Sequence, residues 1–98
     1  MSTKTLKLLI ILVLVSFFTT GCYYWAAKKE MKSAEKSLSE LKQEGGQKLV
    51  PYEYCSAEKF LEVSQGEFGD NHFKKAKEFA TRSKSAADTG LNEVKKKK

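Results

Sequence analysis

Leu8 to Phe18 reads LLIILVLVSFF, eleven residues with a single hydroxyl among them. No other stretch constrains the chain as tightly, because a block this apolar must leave water in one way or another. Lys4 and Lys7 stand ahead of it. A basic start followed by seven to fifteen apolar residues is the pattern of a secretory signal. A bilayer-crossing helix needs roughly 20 apolar residues, which the block alone does not supply. The 98-residue chain therefore divides at about residue 21. The remainder suffices for one small domain, of a size that buries a limited share of its surface.

The block ends on Thr19-Thr20-Gly21-Cys22. This junction resembles the lipobox of bacterial lipoproteins, in which a small residue and a glycine or alanine precede a cysteine. Thr19 departs from the pattern, since an aliphatic residue is usual there. The resemblance implies that residues 1–21 are a signal peptide, cut between Gly21 and Cys22. It also implies that Cys22 carries the lipid, a label for palmitate, through its sulfur and its new amino terminus. Two or more acyl chains make such an anchor stable, whereas one gives marginal binding. The chain would then face the envelope side of a bacterial membrane. Tyr23, where an aspartate retains Gram-negative lipoproteins in the inner membrane, implies outer-membrane cargo facing the periplasm. A rival reading keeps the segment. Leu8 to Ala27 holds twenty residues without a charge, long enough to span. Tyr23, Tyr24 and Trp25 would then form an interfacial belt, with Lys28 and Lys29 on the water side.

Beyond the junction the expected fold class is all-α: a lead helix, an antiparallel helical hairpin and a disordered basic tail. Residues 22–46 form the lipidated cysteine and lead helix. In that helix Ala27, Met31, Ala34, Leu38 and Leu41 recur at steps of four and three, a single helical stripe, and Gly45-Gly46 ends it. The hairpin occupies residues 51–90. Pro51 suits a first helical turn, and Tyr54, Ala57, Leu61 and Ser64 share a face with Phe60 beside it. Gly66 and Gly69 flank Phe68 in a loop, and Asp70 or Asn71 is expected to cap the next helix. The inward face of that helix reads Phe73, Ala76, Phe79, Ala80, Ser83, Ala86 and Ala87, with Gly90 closing it. Residues 91–98 end in the like-charge run Lys95 to Lys98, read as disordered.

Pro51-Tyr52-Glu53, Ala57, Phe60-Leu61, and Ala76 with Phe79-Ala80 resemble a family of bacterial envelope lipoproteins whose helical hairpin has no known function. The likeness covers about forty residues. A fainter one, to a single tetratricopeptide repeat, rests on Phe73 followed by Ala76. Ser64 stands where that motif has glycine, and Ala80 where it has an aromatic. One such repeat cannot bury a solenoid face, so the hairpin needs the lead helix, a second copy or a partner. Neither resemblance implies a catalytic residue.

The formal charge is +6. With Lys4 and Lys7 set aside it falls to +4, the size of the terminal lysine run. A balanced body with a basic tail lacks the one-sided patch of a nucleic-acid binder. Lys95, Lys96, Lys97 and Lys98 are candidate contacts for an anionic surface, whether phosphate-bearing lipid or the cell-wall polymer. Tyr52 and Tyr54 are expected to fill the junction before the second helix or to present an aromatic pair to a peptide or glycan. His72 with Cys55 is not a metal-ligand set, and Cys55 has no evident base beside it for catalysis. Cys55 is expected as a buried or half-buried small residue, with an intermolecular disulfide as its alternative role. Glu53, Glu58 and Glu62 read as surface helix residues. The expectation is a non-enzymatic chain without cofactor or metal, acting as a membrane-anchored interaction module with an unknown envelope partner. Its alternatives are a peptidoglycan tether or accessory and a single-pass anchored protein.

Overall fold

The computed structural model describes residues 2–98, with no side chain described for residues 16–22. Gly21 and Cys22, and with them the lipidation and cleavage assignments, therefore lie outside the described residues. Four helices follow one another: α1 (Thr3–Gln43), α2 (Gly46–Leu49), α3 (Pro51–Gly69) and α4 (Phe73–Lys97). Among the described residues there is no strand.

Each boundary has a local cause. Gly45 takes a left-handed φ of 82° just past the end of α1, a conformation glycine reaches without steric cost. The four residues after it wind into α2 and are not an extended linker. Pro51 occupies the first turn of α3, where its missing N–H is no loss. The turn from α3 to α4 departs from expectation. Neither Asp70 nor Asn71 caps α4: Asp70 closes α3, Asn71 turns left-handed at φ 64°, and His72 is the N-cap residue without a side-chain cap. The Glu67 carboxylate accepts a 2.7 Å hydrogen bond from His72 Nδ1 and ties the turn together.

Paired contacts set the topology. Ser64 Oγ donates to the Ala76 carbonyl and Ser83 Oγ to the Ala57 carbonyl, each at 2.6 Å. Seven residues back along α3 correspond to seven forward along α4, the register of an antiparallel hairpin. The second half of α1 lies along both, parallel to α4 and antiparallel to α3. Tyr24 meets Phe68 and Phe73, Glu35 meets Gln65, Glu30 meets Thr81, and Glu44 meets Lys98.

The resulting three-helix bundle has zones. At the end bearing α2, Leu41, Val50, Tyr54, Ala57, Ala87 and Val94 form the aliphatic core. Along the middle the buried positions are mostly small, Ala34, Ser37, Ser64, Ala76, Ala80 and Ser83, with Leu61 the large side chain among them. Small residues let the helix backbones approach closely, and Ser64 and Ser83 satisfy their hydroxyls on carbonyls of the facing helix. The opposite end is closed by rings. Tyr24, Phe68 and Phe73 touch pairwise with centroids 5.1 to 5.2 Å apart.

Three expected breaks are absent. Gly66, Phe68 and Gly69, expected as a loop, belong to the last turn of α3. Gly90 lies inside α4 and does not end it, buried against Leu41. Lys95 to Lys97, expected to be disordered, are the last turn of α4.

Candidate functional site

The first half of α1 leaves the bundle at its aromatic end. Leu6 and every residue from Leu8 to Val15 are 45 to 63% exposed, on all sides of the helix. The buried residues of the described chain begin at Ala27, so the bundle core draws nothing from residues 2–15. A helix apolar all round belongs in a core or a bilayer, not in water. Among the described residues no helix is long and apolar enough to cross a membrane. The eleven residues Leu8 to Phe18 rise about 16 Å as a helix, roughly half the hydrocarbon thickness of a bilayer.

Tyr24 and Trp25 stand where this segment meets the bundle. Their rings contact edge to face at 5.5 Å, and Lys28 Nζ lies over both, 5.1 and 5.9 Å from the ring centroids. Tyr24 turns inward onto Phe68 and Phe73 while Trp25 remains 70% exposed. One end of the molecule thus combines an apolar rod, an exposed indole and a cation.

Beside that end, α1 and α4 bound an open cleft of about 420 Å³ lined by Tyr23, Lys74, Lys77, Glu78, Thr81 and Arg82. Sequence reasoning missed it. The signal was there in the spacing, since Lys74, Lys77 or Glu78, and Thr81 recur at helical intervals on the flank of the inward stripe.

The basic tail occupies the other end. Lys97 Nζ donates to the Leu49 carbonyl at 2.7 Å, and Lys98 Nζ donates to Glu44 Oε2 at 2.6 Å. The hydrogen bond from Lys98, then its charge, hold the Glu44 carboxyl below the usual carboxylate value, with Lys95 adding a smaller pull against a slight desolvation. Lys95 and Lys96 are exposed, Lys96 within 3.6 Å of Glu93. Two of the four lysines therefore clasp the α1–α3 connection.

Tyr52 and Tyr54 are not an aromatic pair. Tyr54 is in the core, whereas Tyr52 is 79% exposed at the edge of a second groove with Phe60 and Arg82. On a helix, residues two apart point roughly 200° away from each other, so α3 beginning at Pro51 separates them. Cys55, expected to be buried or half-buried, is exposed and is the free cysteine among the described residues. Glu58 and Glu62 are exposed and Glu53 half-buried. His72 keeps its bond to Glu67, and among the described residues no cluster of three or more metal-ligating side chains occurs.

No family model, no curated protein and no solved structure matches this chain.

Proposed function

We propose that the protein is a small non-catalytic envelope lipoprotein, held in a bacterial membrane through acylated Cys22 and displaying a three-helix interaction module. The observation that carries this reading is the difference between the ends of the bundle. An all-round apolar segment and an exposed tryptophan lie at one end and the lysine tail at the other. Among the described residues none before Ala27 is buried, which supports a removable segment: cutting after Gly21 would take away no residue that is described as buried. Outer-membrane residence rests on Tyr23 through the lipobox resemblance.

Cys22→Ser tests the reading directly. The wild-type chain should take up labelled palmitate, pellet with membranes and run at the mass of the processed form. The variant should lose the label and stay at precursor mass. Unchanged attachment and mass in the variant would show the lipoprotein reading to be wrong and favour a single-pass anchor.

A second reading, a cell-wall tether or accessory, draws on the position of the tail. The twenty residues Tyr24 to Gln43 separate the two ends by about 30 Å. That is several times the roughly 8 Å screening length at physiological salt, so Lys95 and Lys96 would scarcely feel the anchoring bilayer. An anionic polymer on the far side is within their reach. Digested sacculi should then yield the C-terminal peptide bound to muropeptides, and its absence after complete digestion would remove the covalent form of this reading.

A further inference from the structure

We propose that the cleft between α1 and α4 is a binding site for the headgroup of an anionic glycerophospholipid. Lys74, Lys77 and Arg82 contribute three cations to its lining against one carboxylate, Glu78. None of the three cations is in an ion pair among the described residues. Lys77 is half-buried, its methylene stem packed at the cleft wall with its charged head toward the opening. Arg82, which also borders the groove beside Phe60, rests its guanidinium 5.4 Å over the Phe79 ring, so its planar donor edge stands at the rim shared by the two. Such an edge suits two phosphate oxygens, and lysine adds point charges beside it.

The remaining lining residues favour a lipid over a free ion. Thr81 Oγ1 donates to the Lys77 carbonyl at 2.9 Å, and Glu30 Oε2 lies 3.3 Å behind it. Glu78 and Glu30 would repel a fully charged free phosphate. They suit a phosphodiester, which bears one charge and can carry hydroxyls for Glu78 to accept. Tyr23 puts the cleft one residue beyond Cys22 in sequence, at the level where an anchored chain meets headgroups. The inference rests on the membrane-anchored reading above.

The test uses the full chain in a mild nonionic detergent, with lipid retention read by native mass spectrometry. Phosphatidylglycerol should be retained over phosphatidylcholine. Lys74→Gln/Lys77→Gln/Arg82→Gln should lower that retention about tenfold or more, given the strength of lysine and arginine attraction to anionic lipid. A Lys32→Gln/Lys36→Gln control, at exposed positions of α1 outside the cleft lining, should retain it fully. Equal retention of both lipids, or no loss in the triple variant, overturns the proposal. So does displacement of phosphatidylglycerol by millimolar inorganic phosphate, which would make this a phosphate site. If the triple variant loses helical circular dichroism, Lys74→Gln and Lys77→Gln separately carry the same comparison. The readout does not involve acylation, so its failure is distinct from failure of the Cys22→Ser test.

Discussion

Ser83 Oγ donates to the carbonyl of Ala57 at 2.6 Å, buried between α3 and α4 and twenty-six residues away in sequence. The same bond recurs two turns along, from Ser64 to Ala76. Both serines are fully buried, and neither hydroxyl has another outlet. The pair locks the hairpin register, since a shift of one residue would strand two buried hydroxyls without acceptors.

Ser83→Ala or Ser64→Ala should each lower stability by about 0.5–1.5 kcal/mol, the net worth of one hydrogen bond, because the freed carbonyl keeps its helical partner. Ser83→Leu should cost more, about 1–3 kcal/mol or beyond, by overpacking a position with no exposed surface. Urea unfolding followed by circular dichroism separates the cases, and equal losses for Ala and Leu would contradict the close packing.

Gly90 is the other point of close approach. A Cβ there would stand 2.9 Å from Leu41 Cδ2 and 3.1 Å from Glu53 Cβ. Leu41 is fully buried and has little room to withdraw. Gly90→Ala should therefore destabilise, although alanine favours a helix over glycine by about 1 kcal/mol. Leu41→Ala alone should cost about 2–5 kcal/mol. In the Leu41→Ala background Gly90→Ala should change sign and stabilise. A double-mutant cycle reads that coupling, and strict additivity would refute the contact.

The clasp between Lys98 and Glu44 predicts a pH dependence. The folded chain holds the Glu44 carboxyl below its ordinary value of 4.5. The unfolded state then binds the proton more readily. The stabilisation is present above that ordinary value and is lost as pH falls through the lower, folded one. In an NMR titration Glu44 should titrate below the ordinary carboxyl value, and Lys98→Met should raise it back toward that value. No change in that variant would mean the tail is not clasped in solution.

Trp25 offers an optical check, as the chain has one tryptophan and it is 70% exposed beside Lys28. Its emission should shift to the blue when the full chain is transferred into phosphatidylcholine vesicles, because indole rings settle at the interface. Emission unchanged from water, with the chain still pelleting with the vesicles, would contradict the orientation.

Much of this was legible in the chain itself. Ala27, Ala34 and Leu41 of the lead-helix stripe and the face Tyr54, Ala57, Leu61, Ser64 are buried as their spacing implied, because periodicity is a local property of the helix, whereas Met31 and Leu38 of the same stripe are half-buried and Ser37 is buried beside them. Gly45 and Pro51 marked their boundaries for equally local steric reasons. The tail was misread because its order depends on the Leu49 carbonyl and on Glu44, forty-eight and fifty-four residues away. The cleft went unseen because Tyr23 and Lys74 lie on different helices.

The sequence by itself determined that this chain is helical, that Gly45 ends one helix and Pro51 opens another, and that an apolar block precedes a cysteine. These follow from side-chain size, backbone freedom and hydropathy within a few residues. Only the tertiary structure decided which surfaces share an end of the bundle. Tyr24, Phe68 and Phe73 close over one another where the apolar segment emerges, and Lys97 and Lys98 fold down at the other end. Those meetings depend on how closely small residues let three helices approach, which no single segment specifies.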